Sequence, residues 1–427
     1  MIRMIFKWDK HKFIHIKGCL FAVTFVCCLF VHSRIEANPE ERSLRFGGFE
    51  REYLIYTPQH PKSRTPSGIL IGLHGFNGSM KNFFNEYDFR AIADAMNYLI
   101  LAPQALPEQN EAVRLKATII NLFLGDKLQL DAVWACGLKV KANSFLGTLI
   151  DDELNRDVDD VGFIETMIRM TLEAYKSIIP PENIFMIGTS MGGYMAYQFA
   201  RIQPVKLAGM VSVAGSMGLA IKGAEPGARP QTPICDFHSL TDEVVPYEGV
   251  LRQNGATIYL AQSKEEVIRF WTENNETGAP VVERVEYYPS DKSITVEKIT
   301  YPGPVNEVIH YKIEGANHHY FFKKEEGDCM DHREEITKFI SAHATGLPDH
   351  NGHLQKSQIT VYPNPARDFI YPGIMEGSIR IYTLTGQAVW SGSFHSGSLS
   401  VSFLPPGTYI LHIQTEGKTH TTKLIKQ

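Results

Sequence analysis

Five consecutive residues, Gly188-Thr189-Ser190-Met191-Gly192, spell G-x-S-x-G directly after the apolar run 183–187. A serine hydroxyl is a weak nucleophile at neutral pH. It attacks a carbonyl carbon only when an imidazole takes its proton, an acid orients that imidazole, and N–H donors hold the oxyanion that forms. At the end of a strand this pattern forces the serine into a strained turn and opens a helix. Gly188 and Gly192 keep side chains out of the turn, Gly193 extends the clearance, and residues 194–201 read as helix. The plain alternative is a glycine-rich helix cap with a satisfied serine.

Partners for Ser190 follow in the order acid, then base. The acid candidate is Asp242, in His238-Ser239-Leu240-Thr241-Asp242-Glu243-Val244-Val245-Pro246, where a core strand runs out into a turn. A carboxylate there stands at the carboxyl edge of the sheet, where open α/β proteins build their sites. Glu243 is its rival, and a solvated turn aspartate is the plain alternative. For the base, Glu314-Gly315-Ala316-Asn317-His318-His319 follows an expected strand at 308–313 and precedes the last core helix. Only one of His318 and His319 can face Ser190. The oxyanion donors are assigned to the backbone N–H of Met191 and to one in the loop His74-Gly75-Phe76-Asn77-Gly78, where Phe76 is the choice. The alternative for that loop is a simple strand-ending turn.

Positioning these residues calls for an α/β fold with a mainly parallel sheet, expected over residues 42–344. Strands are expected at 51–56, 69–73 and 98–102, with a helix at 89–96. Asp159 and Asp160 begin a helix by accepting hydrogen bonds from its free N–H groups; Ile164, Ile168, Leu172 and Tyr175 share one face, and Pro180-Pro181 stops it. The strand into Ser190 and its helix follow, then strands at 207–213 and 233–238, which is α/β-hydrolase order. A helix at 264–275, β-rich segments between 281 and 313, and a helix at 333–343 complete the unit. Residues 105–157 have helical apolar content at 115–124 but no clear core pattern. A lid or substrate wall and a surface elaboration fit them equally. A linker at 345–357, rich in Gly, Pro, His and Asp, sets off residues 358–427. Short β-rich runs there, at 359–362, 379–382, 399–403 and 409–413, are divided by turn signals and read as a small all-β sandwich.

Composition narrows the functional classes. The chain has 427 residues, 44% hydrophobic and 21% charged, with a formal net charge of -5. There is no basic excess, so a nucleic-acid partner has no electrostatic footprint. Residues 1–37 differ: Arg3, Lys7, Lys10, Lys12 and Lys17 precede an apolar stretch at 19–31 that is short for a membrane span. This resembles a secretory signal peptide, with Ser33 and Ala37 as alternative cleavage points. Val26 before Cys27 argues against a lipoprotein. Removal of the signal leaves Cys136, Cys235 and Cys329, enough for one disulfide at most. After the expected signal peptide no C-x-x-C or H-x-x-x-H spacing occurs, and neither metal nor cofactor is expected.

Four stretches stand in an order that is familiar: Leu73-His74-Gly75-Phe76, Asp159-Asp160-Val161-Gly162-Phe163-Ile164, Gly188-Thr189-Ser190-Met191-Gly192-Gly193 and Thr241-Asp242-Glu243-Val244-Val245-Pro246-Tyr247. Over roughly residues 48–343 they resemble the polyhydroxybutyrate depolymerase and feruloyl esterase family. The resemblance implies a secreted serine esterase with Asp242 as the acid. It prefers His318 to His319, because Gly315-Ala316-Asn317-His318 falls on the family's G-G-G-H run. His319-Tyr320-Phe321 then replaces a Trp-containing segment, so acyl or sugar preference does not carry over. Relatives often pair a cysteine after a W-x-x-x-N helix; Trp271-Thr272-Glu273-Asn274-Asn275-Glu276 has none. Substrates implied are hydroxyalkanoate polyesters or oligomers, or feruloyl and acetyl esters on polysaccharide. A serine peptidase of related fold and a non-catalytic surface glycan-binding protein are the rival readings.

The last segment resembles the sorting domains of the type IX secretion system of Bacteroidetes. Val361-Tyr362-Pro363-Asn364-Pro365-Ala366, Ile381-Tyr382 with Gly386, and Leu404 with Gly407-Thr408-Tyr409 carry the likeness. It implies a partner in the secretion machinery and removal of the tail on the way to the cell surface. A carbohydrate-binding sandwich is the alternative, and the few exposed aromatics speak against it.

Overall fold

A computed structural model describes residues 39–59, 66–87, 89–124, 129–144, 147–175, 178–223, 230–253, 256–290, 292–303, 306–318, 320–345, 361, 365–367, 369–370, 377–394, 399–415 and 418–427. The expected signal peptide, with Cys19, Cys27 and Cys28, lies outside the described residues, as do His319 and nearly all of the expected linker.

The chain enters through a hairpin of β1 (Glu40–Phe46) and β2 (Phe49–Tyr56), then β3 (Gly68–Leu73), α1 (Met80–Tyr87), α2 (Phe89–Met96) and β4 (Tyr98–Pro103). After α3 (Glu111–Leu124), β5 (Lys139–Ser144) and β6 (Gly147–Glu153) come α4 (Asp160–Ala174), β7 (Ile184–Thr189), α5 (Met191–Ile202), β8 (Gly209–Val213) and β9 (Ile234–Ser239). A second hairpin, β10 (Val250–Gln253) and β11 (Ala256–Tyr259), precedes α6 (Lys264–Asn274), β12 (Val281–Val285), β13 (Thr295–Tyr301), β14 (Val308–Glu314) and α7 (His332–His343).

Ten strands form one sheet in the order β1-β2-β4-β3-β7-β8-β9-β14-β13-β12. The six central strands, β4 through β14, run parallel to their neighbours, and antiparallel strands flank them on both sides. Strands β3, β4, β7, β8 and β9 are buried at every position, as near-continuous apolar runs covered on both faces must be. Alternate side chains go to opposite faces. Ile69, Ile71, Leu99, Leu101, Ile184 and Met186 pack under α4, α5 and α6, while Leu70, Ile100, Phe185 and Ile187 pack under α1, α2 and α7.

Two excursions leave the sheet. Residues 104–159 after β4 and the β10–β11 hairpin after β9 meet in a separate sheet, order β10-β11-β5-β6, through antiparallel pairing of β11 with β5. Residues 105–157 are therefore more than surface elaboration: Leu130, Ala132, Val133, Trp134 and Cys136 are part of the main core.

The tail contributes β15 (Phe369–Ile370), β16 (Gly377–Thr383), β17 (Ala388–Phe394), β18 (Leu399–Ser400), β19 (Gly407–Thr415) and β20 (Lys418–Lys426). They form a four-stranded antiparallel sheet, β17-β16-β19-β20, and a two-stranded one, β15-β18. Ile379, Ile381, Tyr409, Leu411 and Ile413 alternate inward onto one apolar core. Cys136, Cys235 and Cys329 are all buried and free.

Candidate active site

Ser190 sits between β7 and α5 at φ 51° and ψ -120°, a backbone region that essentially only glycine occupies without strain. The turn is held by its own hydrogen bonds. The Ser190 N–H donates to the Val213 carbonyl at 2.8 Å, and the Ser190 carbonyl accepts from the Gly193 N–H at 2.8 Å. A Cβ on Gly188 would lie 2.0 Å from the Gly192 carbonyl oxygen, and one on Gly192 would lie 2.2 Å from the Leu73 oxygen. Backbone packs directly on backbone here, which is why those two positions take no side chain.

The loop after β14 brings His318 to this serine. Its Nε2 is 2.9 Å from Ser190 Oγ, and its Nδ1 lies 2.8 and 3.0 Å from the two oxygens of Asp242. Asp242 follows β9, and its Oδ1 also accepts from the Val244 and Val245 amides at 2.9 and 2.8 Å. Burial opposes its charge, but the hydrogen bond and charge of His318 and the Val245 amide outweigh burial and hold the carboxyl below its ordinary range. An ionised Asp242 fixes the proton on His318 Nδ1. That leaves the Nε2 lone pair turned toward the Ser190 hydroxyl.

Side chains pin the base loop to the acid loop. The Ala316 carbonyl accepts from the hydroxyls of Ser239 and Thr241, the latter at 2.7 Å. Asn317 Oδ1 accepts from the Glu243 and His318 amides, and its Nδ2 donates to the Glu243 carboxylate at 3.2 Å. Glu243, the rival acid, is thus exposed and engaged by Asn317, while Asp242 holds the ring.

On the other side of Ser190 runs the loop after β3. A Cβ on Gly75 would stand 3.3 Å from Ser190 Cβ, so this backbone lies against the nucleophile. Gly78 N–H donates to the Gly75 carbonyl at 3.0 Å, closing a turn whose third residue, Asn77, has φ 52°. Among the described residues no acceptor is placed on the Phe76 or Met191 amide. His74 anchors the turn from below. Its Nδ1 donates to the Gly75 carbonyl at 2.8 Å, and its Nε2 accepts from the Ala105 N–H at 3.1 Å. Burial lowers its pKa to about 4, so the ring is neutral.

Residues 129–136 brace the same turn. Trp134 Nε1 donates to the His74 carbonyl at 2.9 Å, and Asn77 bonds the backbone of Gln129, Asp131 and Ala132. These contacts were not readable from the sequence, because nothing in the local pattern at 129–136 announces a partner more than fifty residues earlier.

The paired aspartates at 159 and 160 divide their work. Asp159 caps α4, accepting from the Gly162 N–H at 2.8 Å. Asp160, expected as a second cap, is instead fully buried in an ion pair with Arg51, and its other oxygen takes the Ala135 N–H at 2.7 Å. Beneath the site lies another buried cluster that sequence reasoning missed. Asp236 on β9 accepts from Tyr197 at 2.8 Å and Lys264 at 2.9 Å, and its other oxygen is 2.9 Å from His310 Nδ1. Burial opposes that charge, but Lys264 and His310 hold the Asp236 carboxyl well below its usual range. The available signal was two ionisable residues, Asp236 and His238, inside an otherwise apolar strand.

The sheet order and the placement of Ser190, Asp242 and His318 at strand ends define an α/β-hydrolase, and comparison with known proteins shows what its segments resemble. Residues 149–268 match the phospholipase/carboxylesterase family and residues 360–427 match the secretion system C-terminal sorting domain. The chain thus carries an α/β-hydrolase fold with a stretch similar to carboxylesterases and a tail similar to secretion sorting domains. The Oryza sativa subsp. japonica protein named "Probable carboxylesterase" is 39% identical over 70 residues, which cover 16% of this chain and 30% of that relative. The chain therefore spans less than a third of that relative's length. Among solved structures, an acetyl xylan esterase from Aspergillus awamori has a TM-score of 0.44 at 12% identity, covering 71% of this chain and 99% of its own. An S-formylglutathione hydrolase from Agrobacterium tumefaciens has a TM-score of 0.43 at 11% identity, covering 72% and 95%.

Proposed function

We propose that this chain is an exported serine carboxylic-ester hydrolase that works through an acyl-enzyme. The observation that carries the reading is the unbroken hydrogen-bonded line from Ser190 Oγ through both nitrogens of His318 to Asp242. In the first half-reaction Ser190 Oγ attacks the ester carbonyl carbon while His318 Nε2 takes its proton. The tetrahedral oxyanion is held by the N–H groups of Phe76 and Met191. His318 then returns the proton to the departing alkoxide oxygen, and the C–O bond breaks to leave an acyl-Ser190. Water repeats the sequence in the second half, with the acid as product and the serine hydroxyl restored.

The substrates are hydroxyalkanoate polyesters or oligomers, or feruloyl and acetyl esters of polysaccharides. The support is the order of motifs around the three residues. We assign residues 1–37 to a signal peptide, 42–344 to the esterase domain, 345–357 to a linker and 358–427 to the sorting domain. The last of these directs the protein through the type IX secretion machinery to the cell surface or beyond.

The test is a fluorophosphonate probe together with feruloyl, acetyl-xylan and hydroxybutyrate esters, applied to the protein and to Ser190→Ala. Labelling and turnover of at least one ester class are expected, with turnover falling at least about 10⁴-fold in the variant. Labelling that persists in Ser190→Ala would falsify the assignment. Peptide hydrolysis without ester hydrolysis, or glycan binding without turnover, would install one of the rival readings.

A further inference from the structure

The first residue of α7 is His332, a fully buried imidazole that takes no part in the chemistry described above. Its Nδ1 accepts from the Phe322 N–H at 2.8 Å, and its own backbone N–H donates to the Phe322 carbonyl at 3.0 Å. The two bonds close the loop 322–332 at its base. Nδ1 must hold a lone pair to accept, which puts the ring proton on Nε2. Burial pushes the pKa down to about 3, so the ring is neutral and the acceptor is kept. Among the described residues Nε2 has no hydrogen-bond partner. The rings of Phe237, Phe321 and Phe322 surround it, with centroids 4.5, 4.8 and 5.0 Å away. An apolar side chain would fill this aromatic nest without the cost of an orphaned donor. What the imidazole adds is the acceptor.

We propose that His332 is a positioning residue for His318, holding the chain that follows the base through its Nδ1 acceptor. The path between the two is short and bonded along the way. Phe322 is tied by the paired bonds to α7, whose Ile336, Phe339 and Ile340 lie in the core. Phe321 stacks on the His332 ring and meets Tyr87 and Phe89, from α1 and α2, at 5.1 and 5.7 Å. Tyr320 is buried, and its hydroxyl donates to the Phe237 carbonyl on β9 at 3.1 Å. Its N–H donates to the His318 carbonyl at 3.1 Å, which brings the path to the base.

The base is thus held from both directions along the chain. Ala316 and Asn317 fix the approach to His318, through Thr241 and the His318 amide. His332 fixes the departure. A loop secured only at its leading end could carry the ring away from Ser190, and a misplacement of about 1 Å costs roughly 100-fold in rate. Among the described residues none of the hydrogen bonds or ring contacts of His332 is to Ser190, Asp242 or His318. It acts on the reaction through the backbone.

Pairing His332→Leu with His332→Asn on the full chain separates packing from positioning. Leucine fills much of the space and accepts nothing, whereas asparagine can set its Oδ1 where Nδ1 stood while leaving a buried NH₂ unpaired. On a chromogenic short-chain ester, kcat is expected to fall by about 10–100-fold in His332→Leu, with KM within about threefold of the parent. In His332→Asn it is expected to recover to within about threefold of the parent. An equal loss in the two variants, a leucine variant as fast as the parent, or a loss confined to KM overturns the proposal. If neither variant folds, phenyllactate in place of Phe322 turns that amide into an ester, which deletes the donor and leaves the His332 ring. The same fall in kcat is then expected, and turnover at the parent's rate overturns the proposal.

The kinetic arm rests on the proposed esterase activity, and a proton spectrum of the same proteins does not. The His318 Nδ1 proton, held against the Asp242 carboxylate, is expected to give a far-downfield resonance that His318→Gln removes. His332→Asn should keep it, and His332→Leu or the Phe322 ester should broaden or lose it. An unchanged resonance in the leucine variant or the ester overturns the proposal. Absence of turnover in the parent sinks the esterase reading and leaves this resonance to decide His332.

Discussion

The hydrolase unit and the tail are built on opposite terms. Around and beneath Ser190 the hydrolase unit buries Arg51 with Asp160, Asp236 with Lys264 and His310, and Asp242 with His318. The described part of the tail buries an apolar core of alternating strand residues, and Lys426 alone stands among its buried polar side chains. Buried charges are weak contributors to stability, since desolvation offsets their attraction. They hold donors and acceptors in one arrangement in a low-dielectric setting, as acid–base chemistry requires, and the described part of the tail holds no such set. If the contrast is one of purpose, damage to the first set removes activity and damage to the second removes only fold.

The sharpest break is Asp242→Asn. The amide fits the same space and leaves the Val244 and Val245 contacts in place, but it lets His318 Nδ1 give up its proton and turn the wrong tautomer toward Ser190. We expect kcat to fall by about 10⁴-fold with the thermal midpoint nearly unchanged. A loss under tenfold would mean that Asp242 is not the orienting acid, and Glu243 would be the next residue to change.

The same contrast sets what the sequence discloses. Tail strands β16 and β19 were legible because a two-residue alternation around Ile379, Ile381, Tyr409, Leu411 and Ile413 is a local signal. The elbow was legible for a similar reason, since Gly188, Ser190 and Gly192 are constrained by a turn five residues long. Asp242 and His318 could be placed on strand ends, although their juxtaposition depends on β9 and β14 pairing in parallel across the interval between them. The bracing of His74 by Trp134, the pairing of β5 with β11, and the Arg51–Asp160 contact left no local trace. Each joins segments far apart in the chain. Asp160 is instructive: beside Asp159 it reads as a helix cap, and only the fold shows that one carboxylate faces solvent while its neighbour faces a buried guanidinium.

That pair supplies the second prediction. Asp160→Ala strands the Arg51 guanidinium in the core and frees the Ala135 amide, so we expect the hydrolase unit to lose about 3–5 kcal/mol. Urea unfolding followed by tryptophan fluorescence reads this, because Trp134 and Trp271 are fully buried in the hydrolase unit. A loss under about 1 kcal/mol would show that the neighbourhood relaxes around the unpaired cation, and the contrast with the tail would weaken accordingly.

The smallest effect on activity is expected from the tail. Leu411 is fully exposed to neither solvent nor charge; it sits at 0% exposure in β19, between β16 and β20. Leu411→Ala removes three carbons from an apolar core and leaves a cavity, a change that costs about 2–5 kcal/mol in comparable sites. A unit with so small a core has little stability to spare, so the tail should unfold well before the hydrolase unit in a thermal scan of the full chain. Ester turnover at 25 °C should stay within a factor of two of the parent, because none of the contacts to Ser190, His318 or Asp242 comes from the tail among the described residues. A parallel fall in turnover would show that the two regions are energetically coupled, and the division of labour drawn from their cores would have to be abandoned.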